Sequence, residues 1–485
     1  MSPFDKARYE RLLEGLEATE KQLSELERTC RIDTEFFQRR HLRLVERLKK
    51  VRLESIAQVA SISDGNHFSI SESFVEEGIP YYRGQDVAGH FFIEQATANA
   101  ITREAFEQPF MKRSHLQQGD VLLSIIGTVG ETSLVKTARE ATCSCKLAIL
   151  RPQAISPEYL AAYLSSPVGK SLTERWKRGA VQTGLLLEDM DQIPVARFSG
   201  SFEDAIKSAV DVAFASLESG RHLLKQAEQA LLQALSLDTW TPPEALSYVR
   251  TSNQAFAAGR FDAEYFHPAK AQALMELRAL SDVCVSDLFD SIRELWQPTE
   301  AAGLPVRNYD LTDALDPFLD PSKSTAVPEE IASTKKRIAA GDLVVSRLRS
   351  YLREIAVVLP SDDGITAVAS TEFIVLRPKK EVTLTVEALL IYLRSRLPQI
   401  VFKWSQDGSN HPRFDERELL NLPVPRALIS DQATYQTAVR QVVKQRQRAT
   451  RLLDAAKRAV EIAIEDSEAA ALAHLTAANS PDAAA

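Results

Sequence analysis

Apolar residues recur along this chain with two different periods. From Phe202 onward they fall at alternating steps of three and four: Phe202, Ile206, Ala209/Val210, Ala213, Leu217, Leu224, Ala227, Leu231 and Leu235. Steps of that size keep one stripe of a helix apolar. The run predicts roughly 50 Å of helix at about 1.5 Å per residue. A second run has the same spacing: Tyr435, Val439, Val442, Arg446, Ala449, Leu453, Ala456, Val460 and Ile464. Each helix alone would expose its stripe, so the two are expected to pack together, antiparallel, as a coiled coil.

Elsewhere the apolar runs are short and bounded by turn residues, which is the strand signature. Residues 51–62 suggest a turn into a strand closed by Asp64-Gly65-Asn66, and 79–93 alternates like β-structure. Gly119-Asp120 is a turn ahead of a buried strand, Val121–Ile126; Gly127-Thr-Val-Gly130 is a tight loop, and Thr132–Val135 and Lys146–Leu150 are further strands. Ser156-Pro157-Glu158 starts a helix, because Ser caps, Pro fits the first position and an acid faces the positive end. Residues 4–29 read as helix from Leu12, Leu16, Leu23 and Leu26, whereas the Ala-rich chain beyond about 465 reads as a frayed tail. The fold class is α+β.

The pattern also repeats. Arg31-Ile-Asp-Thr-Glu-Phe-Phe37 returns as Arg260-Phe-Asp-Ala-Glu-Tyr-Phe266, 229 positions on. Gly179 and Gly408, each a few residues after a tryptophan (Trp176, Trp404), keep that offset, as do Pro194-Val195 and Pro423-Val424, and Leu223-Leu224 and Leu452-Leu453. Several matches in one register imply a duplicated module. Gly341-Asp342-Leu-Val-Val-Ser346 echoes Gly119-Asp120-Val-Leu-Leu-Ser124 at 222, so the loops before it differ in length; divergence is greatest between 60–118 and 290–340. A shared scaffold with unlike loops fits two readers of different targets, and idle drift of one copy would leave the same pattern. The repeated Arg-x-Asp-x-Glu-aromatic-Phe motif itself reads as a latch joining each module's entry to the helices.

Composition narrows the picture. A chain of 485 residues is too long for one ordinary core. At 45% apolar and 26% charged it is ordinary globular protein, and no apolar run reaches a membrane span. Four cysteines make no disulfide framework; Cys143 and Cys145 read as reduced packing residues. The charged N-terminus lacks a secretory core, and a cytoplasmic location is expected. A net charge of −8 means that any DNA-binding face must be concentrated or completed by a partner.

Catalytic signatures are missing. There is no Asn/Asp-Pro-Pro-aromatic methyltransferase motif; Thr241-Pro-Pro-Glu244 is a helix break. Gly169-Lys170-Ser171 mimics the end of a phosphate loop, but Leu164 stands where its first glycine is needed. No metalloprotease or paired-cysteine motif occurs. The expectation is a non-catalytic chain with no cofactor and no metal.

The layout as a whole resembles a type I restriction-modification specificity subunit. The likeness is carried by Arg260–Pro268, Ile79–Val87, Gly119–Gly130, Ser156–Ser166, the Gly179–Leu185 loop and the two long helices, in that arrangement and twice over. It covers nearly everything from about residue 30. The sequence departs at Ser346-Arg-Leu-Arg-Ser-Tyr-Leu-Arg353, where the family often shows a Gly-x-x-Gly loop, at Gly408-Ser-Asn-His-Pro-Arg413, and in the segment before residue 30. The resemblance implies two target recognition domains that read half-sites of bipartite duplex DNA. It implies helices that set their spacing, and adenine methyltransferase subunits and a restriction/translocase subunit as partners.

The expected division is an N-terminal helical segment (1–30), recognition domain one (31–198), a spacer helix (199–238), a linker (239–259), recognition domain two (260–428), a second spacer helix (429–468) and a flexible tail (469–485). Arg favours guanine edges, Asn and Gln favour adenine, and Lys, Arg, Ser and Thr hold phosphates. The expected DNA contacts are Tyr82, Arg83, Gln85, Thr128, Lys177, Arg178, Gln182 and Thr183 in the first module. In the second they are Arg347, Arg349, Arg353, Ser409, Asn410, His411 and Arg413, with Arg347 and Arg349 sharing a face on a β extension. Lys335-Lys336-Arg337 reads as a solvated run. The alternatives are an interaction scaffold with no DNA role and a restriction enzyme acting alone.

Overall fold

The short apolar runs fold into mainly antiparallel sheets built on one frame, used twice. The computed structural model describes residues 5–27, 29–95, 98–179, 183–301, 303–361 and 363–480. It divides into unit 1, Met1–Ser216 with Gln447–Ala485, and unit 2, Leu217–Arg446. Both boundaries fall inside the long helices, Gly200–Ala234 and Gln432–Glu465.

In unit 1 the strands Ala60–Asp64, Leu147–Pro152, Val121–Ser124 and Thr132–Leu134 lie side by side in that order, all antiparallel. In unit 2 the strands Phe289–Ile292, Phe373–Pro378, Leu343–Ser346 and Ile355–Val358 repeat the order and the directions. Phe318–Leu319 then adds a parallel edge. The second sheet of each unit is different. In unit 1, Asn99–Ile101 pairs with Ile79–Tyr82, which runs parallel to Thr142–Cys143. In unit 2, Lys335–Arg337 pairs instead with Thr366–Ala369, which runs parallel to Val306–Tyr309. Most strands of these second sheets come from the unlike stretches of sequence.

The shared frame is fixed by the same side chains. Gly119 and Gly341 take φ of +91° and +87°, a backbone region that glycine enters without penalty. The aspartate that follows is buried in each case. Asp120 accepts from the Gln117 amide at 2.8 Å and from Arg151 Nε and Nη2 at 2.8 and 2.9 Å. Asp342 accepts from the Ala339 amide at 2.8 Å and from Arg377 Nε and Nη2 at 2.7 and 2.8 Å. A buried carboxylate is tolerable only when paired and saturated in this way. Tyr163 and Tyr392 each donate their hydroxyl to the carbonyl of a proline, Pro194 and Pro423. The helix Pro157–Ser165 starts where the sequence indicates, with Ser156 Oγ accepting from the Tyr159 amide at 3.1 Å. Thr385 caps its counterpart, Val386–Arg394.

The seam of the long helices is buried at every expected position except Ala209, Leu224 and Arg446, which are half-buried. In unit 2, Leu231 and Leu235 share a core with Tyr435 and Val439, and Gly220 faces Val442 and Gln445. Later residues of the first helix therefore meet earlier residues of the second, and their course within that unit is antiparallel. Among the described residues no helix is long and apolar enough to cross a membrane.

Four expectations are corrected. The helix expected over 4–29 extends only from Lys6 to Leu12; Gly15 turns left-handed at φ +79°, and Leu12, Leu16 and Leu23 are exposed, so the apolar spacing finds nothing to pack on. The tail is not frayed up to 480. Glu468–Asn479 is a helix capped by Ser467, with Ala471 and Leu475 buried and Arg451 Nε donating to the Ala478 carbonyl at 3.0 Å. Alanine is the best helix former, so an Ala-rich run behind a serine cap forms helix once its apolar face docks. The Arg-x-Asp motif does make a latch, but onto loop carbonyls rather than onto the long helices. Lys335–Arg337 is a sheet strand, not a solvated run, and Lys335 is buried against Asp310.

Candidate nucleic-acid interface

In unit 2 the strand Leu343–Ser346 delivers the chain directly into the arginine-rich loop. The strand ends at Ser346, and three residues on Arg349 turns left-handed, at φ +50°. This corrects the expected β extension: Arg347 and Arg349 are not alternate residues of one strand. The turn lets the Arg349 amide donate to the Pro412 carbonyl at 2.9 Å, and the Phe414 amide donates to the Arg347 carbonyl at 3.1 Å. The loop is thereby stitched to the hairpin Asp407–Arg413, whose ends exchange backbone hydrogen bonds of 2.8 and 2.9 Å. Gly408 at φ +98° makes the tight turn possible. Ser409, Asn410 and His411 stand exposed at its tip.

One carboxylate organises the arginines. Glu372 accepts from Arg347 Nε at 2.9 Å and from Arg413 Nε and Nη2, with distances of 2.9 to 3.1 Å. The Arg413 guanidinium, aided by Arg347 and opposed by burial, holds the Glu372 carboxyl below the ordinary carboxylate range. Arg413 Nη1 also donates to the His411 carbonyl at 2.8 Å, and Arg349 reaches the Asn410 carbonyl. Burial, reinforced by Arg347 and Arg293, pushes the neighbouring Lys336 ammonium down. Arg347, Arg349 and Arg413 are thus gathered on one loop and hairpin, where Glu372 and Asp407 lie among them and Glu354 and Asp415 lie beside Arg349 and Arg347. The patch has the chemistry for phosphate neutralisation and for guanine-edge contacts. Arg353 is not part of it: its guanidinium meets Glu228 of the first long helix at 3.5 Å.

In unit 1 the corresponding loops also converge, with other side chains. Ile126 pairs with Gly184, and Arg178 pairs with Gly184, just as Leu348 and Asp407 pair with Arg413 in unit 2. Thr128 Oγ1 donates to the Gly84 carbonyl at 3.2 Å, which brings the Gln85 loop to the same place. Gln85, Thr128 and Thr183 are exposed, and Arg83 is half-buried with its amide on Asp86. Arg178 lies beside this cluster but is held through Nε and Nη2 by the buried Asp189, at 2.6 and 2.7 Å. Lys177 is half-buried. Tyr82 is a correction: it is 5% exposed and belongs to a core with Val87, Leu122 and Cys143, so it has no surface to offer a ligand. Gln182 lies outside the described residues.

Sequence reasoning missed the position that differs most between the two patches. Glu372 directly precedes Phe373–Pro378, and Lys146 directly precedes Leu147–Pro152. Ser346 pairs with Phe373 just as Ser124 pairs with Leu147, so both residues occupy one place in the frame. The shared Arg-Pro ends of the strands could have aligned them, at an offset of 226. Among the described residues no group of three or more His, Cys, Asp or Glu is placed to hold a metal ion.

No family model and no curated protein matches the sequence. Solved structures do. The type I restriction-modification system S subunit from M. genitalium is 14% identical over 88% of this chain and 96% of its own, with a TM-score of 0.34. A structure of type I restriction-modification assembly is 15% identical over 89% and 98%, with a TM-score of 0.27. The chain is likewise similar to the HsdS subunit from Thermoanaerobacter tengcongensis, at 14% identity over 89% and 97%, with a TM-score of 0.26.

Proposed function

We propose that this chain is the specificity subunit of a type I restriction-modification complex. Each unit reads one half of a bipartite, asymmetric duplex site, and the chain recruits methyltransferase and restriction subunits without catalysing a reaction itself. The observation that carries this reading is the repetition of one loop-and-hairpin platform on equivalent strands with unlike side chains mounted on it. Lys146, Thr128 and Thr183 stand in one copy; Glu372, Arg347 and Arg413 stand in the other. A duplicated frame with unlike side chains at equivalent places is what reading two different half-sites requires. The order of the sequence motifs supports the same family. The acidic total is accommodated because the partners share the work of phosphate neutralisation.

The test is binding of the chain, assembled with its methyltransferase partner, to a pool of random duplexes at several salt concentrations. Enrichment of one split motif, with affinity falling steeply as salt rises, supports the proposal. A complex with no duplex affinity would leave an interaction scaffold as the better reading.

A further inference from the structure

The repeated Arg-x-Asp motif makes a shared set of contacts in both units, to which Arg31 adds a second carbonyl. Arg31, 6% exposed, holds Asp33 through Nε and Nη2 at 2.8 and 2.9 Å. Its Nη1 and Nη2 donate to the carbonyls of Trp176 and Lys177 at 3.1 and 2.8 Å. Asp33 in turn accepts from the Phe36 amide at 3.0 Å, and the guanidinium lies over the Phe36 ring. Arg260 holds Asp262 through Nε and Nη2 at 2.6 and 2.7 Å, and its Nη2 donates to the Gln406 carbonyl at 3.0 Å. Asp262 accepts from the Tyr265 amide at 3.1 Å, and Arg260 lies over the Tyr265 ring. Lys177 and Gln406 are equivalent residues, 229 positions apart. Each immediately precedes the first residue of a hairpin, Arg178 paired with Gly184 or Asp407 paired with Arg413.

We propose that Arg31 and Arg260 are positioning residues for sequence discrimination, each setting the entry angle of its own unit's reading hairpin. The inference rests on the DNA-reading function proposed above. Its logic is geometric. The guanidinium is planar and rigid, so a carboxylate on one edge and a carbonyl on the other fix each other's placement. The aspartate is fixed by a backbone amide at the module's entry. The carbonyl therefore inherits its position from the entry segment, and the hairpin begins one residue later. A lysine keeps the charge and the partner aspartate but cannot span both acceptors in one plane. Small shifts at a hairpin's base move its tip, and base-edge hydrogen bonds tolerate little displacement.

The test uses Arg260→Lys and Arg31→Lys in the full chain, read first by amide hydrogen exchange without DNA. With Arg260→Lys, exchange at the Asp407 and Arg413 amides should rise about tenfold, the scale of one lost charge-assisted hydrogen bond, while the Arg178 and Gly184 amides stay as in wild type. Arg31→Lys should give the reverse. In complex with the methyltransferase partner, each variant should lose about tenfold in discrimination at one half-site only, with the salt slope unchanged because no phosphate contact is removed. Exchange at the hairpin unchanged, or raised equally throughout the unit, would overturn the inference. So would failure to fold in both Arg260→Lys and the milder Asp262→Asn, because the arginine would then hold the unit and not the hairpin. A wild-type complex that ignores duplex DNA sinks the function above while leaving the exchange result to judge the clamp.

Discussion

Arg349 shows how much a single residue is asked to do in this loop. It is one of four described non-glycine residues with positive φ, and Arg353 of the same loop is another. An L-residue in that region costs on the order of 1 kcal/mol, which the surrounding contacts must offset. Arg349→Gly should therefore leave thermal stability equal or higher, by up to about 1 kcal/mol, while lowering duplex affinity through loss of the guanidinium. Parallel melting and binding measurements check it; a marked loss of stability would mean that the side chain, not the backbone turn, holds the loop. Glu372 makes a pH-dependent prediction. Its carboxyl is held below the ordinary value of 4.5, so the ion pairs with Arg413 and Arg347 stabilise the fold above that value. The contribution should fade as pH falls below the ordinary value and vanish once Glu372 is protonated in the folded state. Denaturant unfolding of wild type and Glu372→Gln should thus differ by about 1 kcal/mol at neutral pH and converge in acid. A difference independent of pH would contradict the assigned pairing.

At the scale of elements, the two periods in the sequence were enough to locate most of the structure. The seam from Phe202 to Leu231 and its twin from Tyr435 to Ile464 are helical where the spacing says, because burial of one stripe is a property of spacing alone; only Leu235 falls just past the first helix. The Gly-Asp turns and the Ser156 cap were legible for the same reason: a local geometry demands a residue type. The first thirty residues were misread because leucines at helical spacing say nothing about whether a surface exists to receive them. The tail was misread in the opposite sense, since the groups that anchor its helix, Ser199 on Glu468 and Arg451 on the Ala478 carbonyl, are remote in sequence. Within the candidate interface, the loops were legible but their wiring was not. Nothing in the neighbourhood of Arg347 announces that its partner is Glu372, 25 residues on. The seam also yields a stability prediction. A Cβ added at Gly220 would lie 3.7 Å from Val442 Cγ1 and Gln445 Cβ, ordinary van der Waals contact. Gly220→Ala should raise unfolding free energy by roughly 0.5–1 kcal/mol, because glycine is costly inside a helix. A loss on denaturant unfolding would show that the helices approach more closely there than the packing indicates.

For the whole molecule, the central idea is one frame used twice. The paired contacts support it residue by residue: Asp120–Arg151 with Asp342–Arg377, Tyr163–Pro194 with Tyr392–Pro423, and Arg31–Asp33 with Arg260–Asp262. What the frame carries is not repeated, down to a lysine and a glutamate at one equivalent place. Under the proposed function, the shared residues hold the fold and the unlike ones carry specificity. The most direct test is methylome sequencing of cells expressing this chain with the methyltransferase subunit proposed as its partner, in wild type and in Arg347→Ala and Thr128→Ala variants. The account predicts a split, asymmetric motif in wild type, with Arg347→Ala relaxing bases in one half only and Thr128→Ala relaxing bases in the other only. A continuous motif, or one in which either variant alters both halves, would contradict it.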